Sequence, residues 1–225
     1  MSTWSAALLI FKKDLRIELR SGEILITTGF FALLVAVLSS LSFYLDDVTS
    51  RRVAPGVLWI SIAFSGVLAM GRSFQRERDH DVFRGLLLSP LPRPAIFFGK
   101  MFGIMAFLSI VELVLVPLVA VLYRLDLWAV LPQLMLLVGL GTLGFAAAGT
   151  LFAAMGVRTR TKELVLSVVL FPLISPALLA GVVATREVLG GATLTELMDW
   201  VRVLVAFDLV LVTLGAILFG PLTSE

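Results

Sequence analysis

Gly71–Lys100 reads GRSFQRERDHDVFRGLLLSPLPRPAIFFGK, the only long polar stretch between apolar runs in a chain of 225 residues. It holds six of the eighteen Lys+Arg residues and the one histidine. It opens highly charged, at Arg76, Glu77, Arg78, Asp79 and Asp81, then turns amphipathic through Val82, Phe83, Leu86 and Leu87. It stops at Ser89-Pro90-Leu91-Pro92. Residues 74–88 therefore suit a helix that Pro90 and Pro92 end, since proline lacks an amide hydrogen and crowds the preceding turn. Two readings stand side by side. A short helix tethered at both ends fits a groove on a partner, and a solvated loop lies on lipid headgroups. The residues alone leave both open.

Outside this stretch the chain is mostly apolar. It is 59% hydrophobic and 15% charged, with a mean hydropathy of +1.04, whereas soluble domains carry about 25% charged residues. That composition predicts an all-α integral membrane protein, a single transmembrane domain over residues 1–225 with no separate soluble domain. A net charge of +2, with basic residues set beside apolar runs, points to topology rather than to nucleic acid. The absence of cysteine excludes disulfides, thiolate metal sites and C-x-x-C-H haem attachment within the chain. One histidine leaves no paired-imidazole site. No internal repeat or linker marks a second domain.

Six apolar runs, Ile24–Leu45, Val53–Met70, Ala95–Leu122, Ala129–Val157, Leu164–Thr185 and Val201–Leu222, are each near or above the roughly 20 residues a helix needs to cross hydrocarbon. With the N-terminus inside, thirteen of the eighteen Lys+Arg residues fall on the inner side and five on the outer. This predicts cytosolic termini. The first run starts only after Glu23 and lacks a small-residue cleavage site, so it reads as a span and not as a cleavable signal peptide.

Before it, residues 1–22 read as an interfacial helix. Trp4, Leu8, Phe11, Leu15 and Leu19 recur at helical spacing, and Lys12, Lys13, Arg16 and Arg20 occupy the other faces, a pattern suited to anionic headgroups. The region 172–200 contains Pro172, Pro176, Gly181, Gly190 and Gly191. It supports either a kinked span or a span that ends early and is followed by an outer re-entrant helix.

Several motifs carry less than their letters suggest. Gly139-Leu140-Gly141-Thr142-Leu143-Gly144 matches G-x-G-x-x-G but sits inside a long apolar run, without the strand that the dinucleotide mechanism needs. Gly144, with Ala148, Gly149 and Ala153, reads better as small residues that let helices pack closely. No G-x-x-x-x-G-K-[ST] occurs, so any ATPase that drives this protein is a separate polypeptide. Neither His-Glu-x-x-His nor a Ser–His pairing is present, and the chain is not expected to be an enzyme. Glu112 in the third run and Asp208 in the sixth are carboxylates where hydrocarbon penalises charge by about 2.5–3.5 kcal/mol. They are candidates for a polar translocation path, or for hydrogen bonds between helices. His80, among Arg78, Asp79 and Asp81, reads as solvated. Trp128 and Trp200 fall where interfacial belts form, and Arg202 reads as an anchor that snorkels to the outer interface.

Arg52-Val-Ala-Pro-Gly-Val-Leu-Trp59, Arg72, Phe74, Leu86-Leu-Leu-Ser-Pro-Leu-Pro92, Lys100 and Leu170-Phe-Pro-Leu-Ile-Ser-Pro176 together resemble the haem exporter protein B family, CcmB. The likeness covers nearly the whole chain. One departure stands in the loop helix. Where the family carries D-G-x-L-E, this chain has His80-Asp81-Val82-Phe83-Arg84, which implies altered charge pairing at that surface.

The resemblance implies an ABC-2, type V exporter-like permease subunit of cytochrome c maturation in the bacterial inner membrane. Two copies would pair with two ATPase subunits, which bind the ATP. The loop over 71–94 would hold the coupling helix, with Arg76, Glu77, Asp79, Asp81, Phe83, Leu86 and Leu87 as the ATPase-coupling residues. Residues 1–22 would be the elbow helix and 172–200 the outer re-entrant region. A haem-handling membrane protein and a periplasmic haem chaperone would complete the assembly. Whether the cycle moves haem or powers release of the loaded chaperone stays open. The lack of an outward His or Cys fits the second slightly better, although Met198 and Tyr123 are possible axial ligands. This chain would bind no cofactor itself. Competing readings are an ABC-2 permease for a lipid, drug or polysaccharide, and a non-transporting membrane scaffold.

Overall fold

Apolar runs of this length satisfy their own backbone groups in hydrocarbon only as helices or closed barrels, and nothing in these runs alternates with a period of two. The computed structural model describes the backbone of residues 2–42, 47–79, 82–156 and 162–223. Side chains are described there except at 47–48, 77–79, 83–84, 153–156 and 162–168. Among these residues all regular structure is helical: α1 Thr3–Ser21, α2 Glu23–Ser42, α3 Asp47–Asp79, α4 Val82–Leu88, α5 Arg93–Leu122, α6 Leu131–Gly156, α7 Lys162–Leu189 and α8 Met198–Thr223.

Six of them, all but α1 and α4, are long and apolar enough to cross a membrane. They match the six apolar runs to within a few residues at most ends. The second departs most. α3 spans 33 residues, about 50 Å at 1.5 Å per residue, and carries Gly71–Asp79 as its own continuation. The helix expected over 74–88 is described in two parts, residues 74–79 as the end of α3 and 82–88 as α4, and His80 and Asp81 between them lie outside the described residues. Gly71 offered no break because the charged run Arg72–Asp79 is compatible with helix once the span has nucleated it. Pro90 and Pro92 do end the segment. α4 closes in a bend at Ser89, and α5 starts with Pro94 in its first turn, where a missing amide hydrogen costs nothing.

Of the two readings of the proline-rich fifth run, the structure has the continuous one. α7 passes through Pro172 and Pro176 without interruption to Leu189. The irregular part of 172–200 is confined to the turns at 190–197. Ser175 sits between the prolines, and its hydroxyl donates to the Pro172 carbonyl at 2.8 Å. The turn itself is set by Gly191, whose φ of +92° few side chains tolerate.

α6 is the most enclosed span. It packs against α3, α5, α7 and α8, while α2 and α8 lie at the periphery. Close approach comes from small residues opposite large ones. A side chain at Gly66 would meet the ring of Phe145 at 2.2 Å, and one at Gly215 would meet that of Phe97 at 2.1 Å. Gly149 similarly admits Met70. The letters of the apparent G-x-G-x-x-G serve the same end at two positions: Gly141 faces Trp59, and Gly144 faces Asp208 and Phe207.

α1 lies across the base of the bundle, the end that also carries α4. Gly22, at φ +64°, gives the sharp turn from α1 into α2, and its amide donates to the Glu18 carbonyl at 2.7 Å. The apolar stripe of α1 does not all face the bundle. Leu8 and Leu19 point away from it, Trp4 is exposed but its ring meets that of Phe98 of α5 at 5.1 Å, and Ala6, Ala7 and Ile10 are buried against α5. Gly99 permits that contact, since a Cβ there would stand 2.7 Å from the Ile10 Cβ. A helix with a protein neighbour and a lipid neighbour uses small residues for the first and large ones for the second.

Candidate functional site

The base holds the densest polar cluster among the described residues. In the α1 segment only Asp14 and Glu18 are acidic, and they stand four apart, on one face of the helix. That face meets α3 and α5. Glu18 is fully buried. Its Oε1 accepts the amide hydrogen of Leu25 at 2.8 Å, one of the first-turn donors that α2 cannot satisfy internally. Its Oε2 lies 3.2 Å from Arg76 Nη1. The other Arg76 nitrogen, Nη2, donates to Ser21 Oγ and Glu23 Oε2, both at 3.2 Å. Arg72 Nη1 stands 3.6 Å from Glu23 Oε1.

One turn away a second pair forms. Lys100 is 1% exposed, and its Nζ donates to Asp14 Oδ2 at 2.7 Å. Lys13 Nζ meets the other oxygen of the same carboxylate at 3.0 Å. A buried charge is tolerated only when paired, and removal of one partner from such a pair costs about 3–5 kcal/mol. The base of α3, the elbow of α1 and the start of α5 are therefore held by charge as well as by packing. The signal for Asp14 and Glu18 lay in the sequence, as the only two acids of a basic helix at i and i+4. Their partners did not, because Arg76 and Lys100 are 58 and 82 positions beyond Glu18.

The expected coupling residues divide. Arg76 is turned toward α1 and α2. Leu86 and Leu87 are partly buried against the main core, and among the described side chains of α4 the apolar ones exposed are Val82 and Leu88. Leu88 is 79% exposed at the end of a seven-residue helix, an arrangement the spacing did not single out. The side chains of Glu77, Asp79 and Phe83, and the whole of Asp81, lie outside the described residues, as does His80.

The two intramembrane carboxylates are buried on different faces of α6. Glu112 of α5 accepts a hydrogen bond from the hydroxyl of Thr142. Asp208 of α8 faces Gly144, where a side chain would come within 2.3 Å of its Oδ1, and neither of its oxygens has a hydrogen-bond partner among the described residues. Among the described residues no hydrogen bond joins the two acids to each other. No group of three or more His, Asp or Glu residues able to hold a metal occurs among the described residues. At the end opposite the base, Tyr123 is buried and burial pushes its phenol pKa up, whereas Met198 is half-exposed. Glu196, in the same region, accepts from the backbone and hydroxyl of Thr193, and these bonds hold its carboxyl below the usual range.

A bundle of six helices able to cross a membrane, with an amphipathic helix and a short inter-span helix at one end, defines a multi-pass membrane protein. The chain belongs to the CcmB protein family, whose model matches residues 5–220. Among curated proteins it is similar to heme exporter protein B of Haemophilus influenzae, at 27% identity over 173 residues, 76% of each chain. It is 32% identical to heme exporter protein B of Escherichia coli K12 over 91 residues, 40% of this chain and 41% of that one. With the protein of the same name in Pseudomonas aeruginosa it shares 24% identity over 205 residues, 91% of each chain.

Proposed function

We propose that this protein is the membrane-spanning permease subunit of an ABC-2-type transporter for haem export in cytochrome c biogenesis. ATP hydrolysis by a separate ATPase drives it, and this chain catalyses no reaction. The observation that carries the reading is α4, a short helix between two spans that exposes Leu88 beside a charged helix end, in a chain whose named relatives are heme exporters. The base is the cytosolic end, with both termini on that side of the bacterial inner membrane, because the basic residues gather there. Two permease copies assemble with two ATPase copies, and a haem-handling membrane protein and a periplasmic haem chaperone join them.

α4 and the end of α3 are the coupling element, with Glu77, Asp79, Asp81 and Phe83 in the same segment as Leu88. The ATPases close on ATP and displace α4. Arg76 passes that displacement to α1 and α2 through Glu18 and Glu23, and Leu86 and Leu87 pass it to the core. The spans then shift as bodies. Glu112 and Asp208, on two faces of α6, are the polar groups that such a shift can re-expose. The cycle powers haem export or release of the haem-loaded chaperone, and the chaperone's effect on the ATPase distinguishes the two.

The test is a pull-down of the tagged chain from detergent-solubilised native membranes, with ATPase activity assayed with and without the haem chaperone. A stoichiometric ATPase stimulated by the chaperone is expected. An ATPase indifferent to haem proteins would move the function to another exporter, and no ATPase partner would leave a scaffold.

A further inference from the structure

α7 carries two prolines near its middle. Pro172 stands about 15 Å beyond Lys162, and Pro176 follows one turn later. In α3, α5 and α8 the internal prolines Pro55, Pro117 and Pro221 stand singly and nearer a helix end. Proline has no amide hydrogen, so the carbonyls of Val168 and Pro172, four residues back, lose their helical donors. Pro172 and Pro176 are exposed on one stripe with Val169 and Leu179, facing out of the bundle. The Pro172 carbonyl accepts instead from the Ser175 hydroxyl, at 2.8 Å. A side chain that turns with the backbone has thus replaced one rung of the helix.

The two halves of α7 are held differently. Outward of Pro176, Ala177, Ala180 and Ala184 are buried, and small residues let the helix sit close to its neighbours. Trp59 of α3 keys this half. A Cβ at Gly181 would stand 2.4 Å from its ring, and its Nε1 donates to Thr185 Oγ1 at 2.9 Å. Toward the base, Leu170 lies in the main core, and the Phe171 ring meets that of Phe64 with centroids 5.3 Å apart. Apolar contacts of that kind have no fixed direction, so they tolerate sliding where the keyed half does not.

We propose that Pro172–Pro176 is a hinge. The inner half of α7, residues 162–171, swings there against an outer half fixed to α3 and α6, and Ser175 is the strut that holds the joint in helical form. An unbroken helix would have to stretch or break backbone hydrogen bonds to bend sharply, and here the prolines have already removed them. A change of bend of about 20° at the joint moves the Lys162 end by about 5 Å. The swing parts Phe171 from Phe64 and opens the α3–α7 seam toward the base. The hinge stands independently of what the protein exports and of what drives it.

The full chain, which has no cysteine, is spin-labelled at introduced pairs and reconstituted in bilayers with the subunits it retains. It is diluted with unlabelled chain, so that each assembly carries one labelled copy. Val169→Cys with Ile217→Cys reads the inner half, and Leu179→Cys with Leu209→Cys reads the outer half, all four side chains being exposed. The inner pair is expected to give a distance distribution at least about twofold broader than the outer pair. Pro172→Ala combined with Pro176→Ala, which restores both amide donors, narrows the inner distribution to the width of the outer one. Pro176→Ala alone narrows it in part, should the double variant fail to purify. Matching inner and outer widths, or an inner width untouched by the proline variants, would overturn the hinge. The strut has its own readout in thermal unfolding. Ser175→Ala lowers the midpoint of the wild-type chain and leaves that of the Pro176→Ala chain unchanged, because there the amide at position 176 serves the Pro172 carbonyl. Equal losses in the two backgrounds would remove Ser175 from the joint.

Discussion

Trp59 shows how much one side chain organises in this bundle. Its ring stands between α6 and α7 where Gly141 and Gly181 leave room, and its Nε1 donates to Thr185 Oγ1 at 2.9 Å. A polar hydrogen bond between membrane helices contributes about 0.6 kcal/mol on average, whereas overpacking a close contact costs about 1–3 kcal/mol. Trp59→Phe, which keeps the apolar ring and removes the donor, is therefore expected to destabilise less than Gly181→Leu. Thermal unfolding of the two purified variants decides the order, and the reverse ranking would mean that the hydrogen bond, not the fit, holds α3 to α7. At this scale the sequence was partly legible. Gly144 and Gly149 of α6 read correctly as packing residues because an apolar run on both sides left no other use for them. Trp59 itself gave no sign of its partners, which are 82 and 122 positions away. The same limit hid the Glu18–Arg76 and Asp14–Lys100 pairs. A charge in a sequence shows its sign, but the fold decides which opposite charge it meets.

The elements were legible where hydropathy alone decides them and less so where a helix could continue or stop. All six spans follow from apolar length. The continuation of α3 to Asp79 does not, because a charged segment is equally at home in a solvated loop and in a helix already propagating. α7 was ambiguous for the opposite reason: Pro172 and Pro176 weaken a helix, but neighbouring helices and Ser175 compensate. Helix ends can be tested directly. After α5, Arg124 adopts φ +51°, and Leu125 N–H donates to the Ala120 carbonyl at 2.8 Å, so a non-glycine occupies the left-handed position of a Schellman turn. After α7, Gly191 holds the equivalent place at φ +92°. Arg124→Gly is expected to leave stability unchanged or raise it by up to about 1 kcal/mol, while Gly191→Ala lowers it by about 1 kcal/mol. Chemical denaturation in mixed micelles reads both. A loss with Arg124→Gly would show that its side chain, rather than its backbone, anchors the turn.

Across the whole molecule, the charged segment and α1 come together at one end although they are far apart in sequence. Neither was readable as part of a shared cluster, because each was interpreted against lipid or against a partner and not against the other. Among the described side chains of α4, Leu88 is the apolar group most available to an outside partner. The chain has no cysteine, so Leu88→Cys carries the sole reactive thiol. The direct measurement is maleimide labelling of that variant in inverted inner-membrane vesicles, before and after peripheral subunits are stripped, with intact spheroplasts alongside. Labelling is expected only in inverted vesicles, weak while the ATPase is bound and at least about tenfold faster once it is removed. Equal labelling before and after stripping would contradict the docking of α4 in an ATPase, and labelling from the outside of spheroplasts would place the base on the wrong side of the membrane.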